Sequence, residues 1–240
     1  MLIFSNTRVF KNVFLVVCTI LTVSLSSCKD KEDNTPEPQP PLAFALLYQA
    51  SPDAPDMDVL VGSTRINNQA FRYSNASNYL EFTPGDTRFR FNPINASNSY
   101  VDSTVTLSEN KAYSLFTVGR FENIELLVVE DSLRNPAAGK SLIRFIHVSP
   151  DAPAVDIVTT GTNGTTLFSD IAFKGSTEFE EITAGANSFQ IRRAGGEEVL
   201  LSLTNHTLVA GRIYTILLRG FQTRPEGNTN SLSIQVFQNF

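Results

Sequence analysis

The chain has 240 residues, of which 42% are apolar and 18% are charged, as in an ordinary globular protein. Its formal net charge is −5, and its Lys and Arg residues do not cluster as they do in proteins that neutralise phosphates. These features exclude a nucleic-acid-binding protein as the leading interpretation, and no nucleic-acid partner is expected.

Residues 1–27 have the pattern of a signal peptide. Arg8 and Lys11 form a basic start, and Asn12–Leu25 is an apolar stretch too short to span a bilayer comfortably. The ending Leu25-Ser26-Ser27-Cys28 resembles the lipobox of bacterial lipoproteins. This resemblance implies that Cys28 becomes the mature N-terminus and carries fatty acyl chains such as palmitate, which together anchor the chain to a membrane. The alternative is an ordinary secretory signal with an incidental Cys.

Residues 28–42 are predicted to form an extended tether. The other Cys, Cys18, leaves with the signal peptide, so the mature fold has no disulfide and depends on core burial. Lys29–Asp33 is densely charged and Pro36–Pro41 alternates proline with other residues, a composition that cannot bury a core. The charged run also resembles the surface-export signal of lipoproteins in some Gram-negative bacteria, which implies an outer-membrane protein facing the cell exterior. A merely solvated linker is the alternative.

The sequence Ser-Pro-Asp-Ala-Pro occurs twice, at Ser51–Pro55 and at Ser149–Pro153. The interval of about one hundred residues is the size of a single small domain, so the repeat predicts two copies of one module. Matches beyond the motif, such as Gly119 with Gly220, are turn and core positions. The predicted boundaries are 43–131 for the first repeat, 132–140 for a short linker that allows some movement, and 141–240 for the second repeat.

Short apolar or alternating runs separated by Pro, Gly, Asn or Asp predict strands, and helical periodicity is nearly absent. The predicted fold class is all-β, with two tandem immunoglobulin-like β-sandwich domains. Predicted strands in the first repeat are Phe44–Ala50, Met57–Val61, Arg88–Phe91, Val101–Leu107, Ala112–Val118 and Ile124–Val129; in the second they are Leu142–Val148, Val155–Val158, Asn187–Arg192, Ile213–Arg219 and Leu232–Phe237.

Each motif is predicted to be a structural turn. The first proline presets φ, the first aspartate hydrogen-bonds nearby backbone amides, and the second proline keeps the preceding alanine extended. A second aspartate at the start of the next strand ties down amides of the same loop. The motif residues are Ser51, Pro52, Asp53, Ala54, Pro55 and Asp58 in the first repeat, and Ser149, Pro150, Asp151, Ala152, Pro153 and Asp156 in the second.

A calcium site is the alternative interpretation of the same loops. Asp53 with Asp58, and Asp151 with Asp156, offer the carboxylate oxygens that Ca²⁺ prefers. The dense acidic ladder of a dedicated calcium loop is missing, so the pattern is a weak signal, and no metal or other cofactor is predicted.

The stretch from Arg144 to Ile157, RFIHVSPDAPAVDI, resembles the opening of the bacterial domain-of-unknown-function family 4397, whose members are extracellular and often anchored or repeated. The resemblance covers both modules. It implies a β-sandwich and an envelope location, and it brings no catalytic residues. The first repeat has Leu46 and Gln49 where the second has Arg144 and His147, so chemistry that needs this Arg and His would be missing from the first repeat.

The residues give catalysis little support. Gly-x-Ser-x-Gly, His-Glu-x-x-His and phosphate-cradling glycine loops are absent. His147 would share a strand face with Ser149, so a Ser-His pair oriented by Asp151 or Asp156 is the hydrolase alternative. Gln49 at the matching position indicates a hydrogen-bonding role instead. The adjacent acids Glu180-Glu181 and Glu197-Glu198 would point to opposite strand faces, as solvated positions do.

The predicted function is a non-catalytic binding, adhesion or spacer module of the cell envelope. Its expected partners are the membrane, through the anchor, and a glycan or protein. Phe71 aligns approximately with Phe173, and Tyr79 with Phe179, as core positions would. The alternative is a glycan-binding accessory of an outer-membrane uptake system, with aromatic platforms formed by Phe71, Tyr73, Tyr79, Phe168 and Phe173.

Overall fold

The computed structural model describes residues 40–160 and 164–239. The chain from Pro40 onward forms one compact unit. Apart from a 3-10 turn at Phe121–Asn123, its regular elements are strands, and the prediction of an all-β protein is confirmed. The strands are β1 (Ala43–Gln49), β2 (Met57–Val61), β3 (Thr64–Arg65), β4 (Leu80–Phe82), β5 (Gly85–Pro93), β6 (Val101–Leu107), β7 (Ala112–Val118), β8 (Glu125–Asp131), β9 (Lys140–His147), β10 (Val155–Thr159), β11 (Thr166–Ile171), β12 (Glu180–Thr183), β13 (Gly185–Arg193), β14 (Val199–Leu208), β15 (Ile213–Arg219) and β16 (Ser233–Gln238).

Each repeat contains eight strands in two four-stranded sheets, and the strand order is the same in both. The first repeat has the orders β4-β1-β7-β8 and β3-β2-β5-β6, and the second has β12-β9-β15-β16 and β11-β10-β13-β14. β1 pairs in parallel with β7, and β9 pairs in parallel with β15. The two sheets of each repeat enclose a hydrophobic core, so the chain folds as two tandem sandwiches.

The outer sheet of each sandwich has one face in the core and one in solvent. In β6, for example, Val101 and Val105 are buried whereas Asp102, Thr104 and Thr106 are exposed. The period of two along the strand places the apolar side chains on a single face. Alternating strands of this kind therefore mark the two outside sheets.

The inner sheets are buried on both faces. Leu47 on β1 and Leu115 on β7 pack into the sandwich of their own repeat. Tyr48 and Phe116, one position further along these strands, pack instead against the second repeat. A strand covered on both sides is buried at successive positions, and this is the burial pattern of β1, β7, β9 and β15. The two repeats are thus joined by a shared core as well as by the segment 132–139; its buried members are Leu46, Tyr48, Ala50, Phe116, Val118, Val129, Ile146, Val148 and Leu217.

A buried ion pair crosses this shared core. Arg144 Nη1 lies 2.6 Å from Asp131 Oδ1, and 1% and 0% of the two side chains are exposed. Arg144 also donates hydrogen bonds to Ser114 Oγ at 3.0 Å and to Thr215 Oγ1 at 2.9 Å. Its guanidinium carbon lies 4.6 Å from the centroid of the Phe179 ring. Because a buried charge is tolerated only when it is paired and hydrogen-bonded, these contacts account for the burial of Arg144 between the repeats.

Tyr79 and Asn239 extend this network. The Tyr79 hydroxyl donates to Asp131 Oδ2 and accepts from Asn239 Nδ2 at 2.9 Å. Asn239 Oδ1 in turn accepts from Thr215 Oγ1 at 2.7 Å. Burial, together with the neighbouring Asp131 carboxylate, raises the pKa of the Tyr79 phenol well above its ordinary value, so the hydroxyl stays protonated and continues to donate.

Candidate functional site

The first aspartate of each motif binds the loop that follows a neighbouring strand. Asp53 Oδ1 accepts from Phe121 N at 2.8 Å, in the loop after β7. Asp151 accepts from Gln222 N at 2.8 Å and from Thr223 N at 2.9 Å, in the loop after β15. Both carboxylates therefore accept backbone amides, but these amides belong to another loop and not to their own. The amides are distant in sequence, but parallel pairing of β1 with β7, and of β9 with β15, brings the strand ends together.

A glycine is required in each of these two loops. Gly119 and Gly220 have φ of +90° and +84°, which L side chains rarely adopt. A Cβ on Gly119 would lie 2.8 Å from Asn123 O, and one on Gly220 would lie 2.1 Å from Ser231 O. Ser149 Oγ donates to Gly220 O at 2.5 Å, so the second motif holds this loop by its serine as well as by its aspartate.

The second aspartate of each motif binds the hairpin turn between the next two long strands. Asp58 Oδ2 accepts from Asn95 N at 2.9 Å, and Asp156 Oδ2 accepts from Gly195 N at 3.0 Å. Asn95 and Gly195 have φ of +58° and +69° at equivalent turns. The amides thus belong to another hairpin, whereas amides of the same loop were predicted from the sequence.

This arrangement does not bring the two aspartates of a motif together in one coordination site for Ca²⁺. The two aspartates of each motif accept hydrogen bonds from two different loops. Asp58 also has an ion-pair partner in Arg65, with Nε 3.2 Å from Oδ1. Within residues 40–160 and 164–239, no group of three or more His, Cys, Asp and Glu side chains is placed to hold a metal ion.

Both motif loops also contact the opposite repeat. Pro52 O accepts from Asn228 Nδ2 at 3.0 Å and from Asn230 Nδ2 at 2.5 Å. Arg120 of the first repeat places Nη2 3.7 Å from Asp151 Oδ2 of the second. The motifs therefore fasten loops inside each sandwich and add polar contacts between the sandwiches.

The structure does not join His147 and Ser149 as a catalytic pair. His147 is fully buried, and its Nε2 lies 3.0 Å from the carbonyl oxygen of Pro153, to which it donates as the Nε2-H tautomer. Burial lowers the pKa of His147 below its ordinary value. The Ser149 hydroxyl is directed to Gly220 O. Gln49, at the matching position of the first repeat, accepts from Ser51 N at 2.7 Å, so both side chains hydrogen-bond the following motif loop.

The aromatic residues predicted as glycan platforms do not form one exposed surface. Phe71 and Phe168 are 7% and 8% exposed and lie in the cores of different sandwiches. Tyr79 belongs to the polar network between the repeats. Tyr73 and Phe173 each lie beside a cation, with the Arg219 guanidinium carbon 5.1 Å and Lys174 Nζ 5.6 Å from the respective ring centroids.

The alignment of Phe71 with Phe173 is wrong by two residues. Ser74 N donates to Gln49 O, and Lys174 N donates to His147 O, each at 2.8 Å. The bonds are equivalent, because Gln49 and His147 end equivalent strands, so position 74 corresponds to position 174. Tyr73 therefore corresponds to Phe173, and Phe71 corresponds to Ile171. The polar stretch of the first repeat misleads a comparison by residue type.

A cleft of about 360 Å³ lies in the first repeat between the segments 66–71 and 75–80. Its floor is apolar and its remaining lining is largely amide-bearing, with no charged residue. We refer to it as the amide cleft, and it is lined by Leu47, Val59, Ile66, Asn67, Asn68, Gln69, Ala70, Phe71, Asn75, Ala76, Ser77 and Leu80. This cleft was not predicted from the sequence, in which the same polar stretch was interpreted by its aromatic residues.

A larger cavity of about 880 Å³ opens beside the segment joining the repeats. Its charged lining residues are engaged with other side chains: Lys111 Nζ lies 2.6 Å from Glu130 Oε1, and Arg134 Nη1 lies 3.2 Å from Glu181 Oε1. The cavity also reaches Asp131, the partner of Arg144. It is therefore the outer margin of the polar network between the repeats.

Cys28, the predicted signal peptide and most of the predicted tether lie outside the described residues. The part of the chain that is described contains no helix long and apolar enough to cross a membrane.

Residues 43–158 match the model of a domain of unknown function, DUF4397. The match begins with β1, ends in β10 and includes both motifs. No curated protein matches the chain. Solved structures similar to it include the Bacillus anthracis TIE protein, with 8% identity and a TM-score of 0.25, where the similarity covers 82% of this chain and 44% of that protein. A leucine-rich repeat protein from Bacteroides thetaiotaomicron VPI-5482 has 11% identity and a TM-score of 0.19, covering 72% of this chain and 25% of that one.

Proposed function

We propose that this chain is an outer-membrane lipoprotein, anchored through Cys28 and displayed on the cell surface, whose two repeats form a non-catalytic binding, adhesion or spacer module. One observation carries the proposal. The motif aspartates Asp53, Asp58, Asp151 and Asp156 are all engaged by backbone amides of other loops, so the duplicated motif builds a rigid scaffold.

The second repeat is proposed to be a second copy of the DUF4397 module. Its strands pair in the same order as those of the first repeat. Its motif makes the equivalent bonds, with Asp151 binding Gln222 N as Asp53 binds Phe121 N. Equal topology and equal loop contacts support one ancestral unit that was duplicated.

The anchor is proposed from the sequence around Cys28. Small residues precede this Cys at the end of an apolar stretch, as lipoprotein processing requires. The compact unit begins at Pro40, and residues 29–39 lie between it and Cys28. A polar, proline-rich segment of this kind suits a spacer between a membrane and a rigid module.

The test is metabolic labelling with an alkynyl palmitate analogue in the native cells. We expect label in the parent chain and in Cys18→Ser, the matched control, and none in Cys28→Ser. Protease added to intact cells should remove the chain. Label that persists in Cys28→Ser would refute lipidation. A chain that is degraded only after lysis would refute surface display.

A further inference from the structure

In the first repeat the edge strand of the outer sheet ends early, at a position where the edge strand of the second repeat continues. In the second repeat β11 pairs with β10 from Thr166 to Ile171 with two register shifts, whereas β3 of the first repeat has only two residues and residues 66–70 lie outside any strand. The Asn67 side chain takes over the missing backbone pairing: its Oδ1 accepts from Val59 N at 2.7 Å, and its Nδ2 donates to Met57 O at 3.2 Å. The segment is thus held away from the sheet without losing these hydrogen bonds.

This departure opens the amide cleft at a position that the second repeat fills. Phe71 bridges to Met57 as Ile171 pairs with Val155, so Val59 and Ile157, two residues further along these strands, are equivalent. Phe168 pairs with Ile157, whereas the residue whose N–H donates to Val59 O is Ile66. Phe168 is 8% exposed and belongs to the sandwich core, whereas Ile66 is 38% exposed and lines the cleft. The first repeat thus has a cleft where its counterpart has a packed aromatic ring.

The cleft presents amide groups that the fold does not use. Among the described residues, the hydrogen bonds of this loop use the Asn67 side chain and Gln69 O, and none involves the side-chain amides of Asn68 and Gln69. Asn75 uses its Oδ1 to accept from Arg72 N at 2.9 Å, and its Nδ2 is not part of that bond. A side-chain amide both donates and accepts, so these three residues suit a ligand that carries paired donors and acceptors.

We propose that the amide cleft binds a neutral saccharide. Adjacent hydroxyls of a sugar donate and accept in pairs, which matches amide side chains, and the C–H face of a sugar ring matches the floor formed by Leu47, Val59 and Leu80. A charged ligand would find no counter-charge, because the lining contains no charged residue. The volume of about 360 Å³ lies within the range of small-molecule sites. The inference rests on the proposed role as a binding module and names its ligand class and its site.

The test uses the mature full-length chain, solubilised in detergent, on columns of immobilised amylose, mannan, xylan and galactan. Polygalacturonate serves as the acidic comparison, and an immobilised library of unstructured peptides tests for a peptide site. Asn68→Phe replaces an amide of the cleft lining with a bulky aromatic ring, and Gln69→Ala removes one amide. Gln222→Ala, which removes an exposed amide from the second repeat, is the matched control.

We expect retention on at least one neutral polysaccharide, and binding about tenfold weaker in Asn68→Phe and Gln69→Ala, because each variant loses a hydrogen-bonding group or the space for the ligand. Gln222→Ala should bind like the parent. If Asn68→Phe does not fold, Gln69→Ala decides the question. The proposal is overturned if no neutral polysaccharide retains the parent, if both cleft variants bind as the parent does, or if only peptides are retained. Lipidation and surface exposure are measured independently, so a negative saccharide-binding result would not contradict the proposal of an anchored module.

Discussion

The Arg144 guanidinium of the second repeat meets the Asp131 carboxylate of the first, with Nη1 and Oδ1 2.6 Å apart in a site that excludes water. The matching position of the first repeat is Leu46, which is also buried in the shared core. The two inner sheets are therefore alike in topology but differ in chemistry, because the second repeat contributes a buried cation where the first contributes an apolar side chain. Removal of either partner would leave the other charge buried without a counter-charge.

Arg144→Leu should lower the free energy of unfolding by roughly 3–5 kcal/mol, because it leaves the Asp131 carboxylate buried without a counter-charge. Urea unfolding followed by tyrosine fluorescence measures the change. The double variant Arg144→Leu/Asp131→Leu should recover most of it. Arg72→Leu is the control, since its ion pair with Asp56 is largely exposed and should contribute little. Equal losses in the single and double variants would contradict the assignment.

Gly220→Ala should destabilise the protein far more than Gly227→Ala. Both positions have positive φ, +84° and +77°, so the backbone strain is similar. Only Gly220 has a neighbour in the way, with Ser231 O 2.1 Å from the added Cβ, whereas nothing lies within 4 Å at Gly227. We expect a loss of about 1–2 kcal/mol at Gly227 from strain alone, and a larger loss at Gly220. Similar unfolding midpoints for the two variants would show that the loop is not held as described.

Stability should fall on mild acidification because of His147. Burial lowers the pKa of His147 below its ordinary value of 6.5, so the unfolded chain binds a proton at a pH where the folded chain does not. The penalty is absent above about pH 6.5 and grows as the pH decreases below it. His147→Gln, which copies Gln49, should flatten the dependence of the unfolding free energy on pH between about 6.5 and 5. His206→Gln on β14 is the control, and parallel curves for parent and His147→Gln would contradict the prediction.

Excess Ca²⁺ and EDTA should give superimposable melting curves. The carboxylates of Asp53, Asp58, Asp151 and Asp156 accept amides from different loops, and within the described residues no three acidic, His or Cys side chains are placed to hold an ion. Differential scanning calorimetry of the parent chain in both conditions is the measurement. A midpoint that rises with Ca²⁺ and returns with EDTA would reinstate the calcium alternative.

Strands with one solvent face and clear turn residues at their ends could be predicted from the sequence. Met57–Val61 and Val101–Leu107 agree with the structure to the residue. The longest strand, Val199–Leu208, was not predicted, because Thr204, Asn205 and His206 interrupt its alternation. It lies at a sheet edge with much of its length exposed, where packing places few demands on side-chain type.

The burial of the inner sheets on both faces could have been predicted from the sequence. Strands such as Ile213–Arg219 are apolar at successive positions, which indicates burial on both faces and therefore a second layer beyond the sandwich. The pairing of Asp53 with Phe121 N had no comparable signal. It depends on β1 lying beside β7, and parallel neighbours of this kind become visible only when the sheet order is known.

The amide cleft could not be recognised from residue types alone. Asn67-Asn68-Gln69 resembles an ordinary polar loop, and the cleft beside it depends on the exposed Ile66 standing where the second repeat has the buried Phe168. That correspondence follows from the backbone partners of Val59 and Ile157, since the side chains of the two segments differ in type.

The burial of both inner sheets limits how further repeats can be added to a protein of this architecture. A third repeat added to the chain would bring another apolar sheet face, and the two faces of this type already present cover each other. Such a protein would gain repeats most readily in twos, or would need a second chain to cover the odd one. Cutting the polypeptide within residues 132–139 would likewise yield halves that reassemble or precipitate in place of two soluble modules.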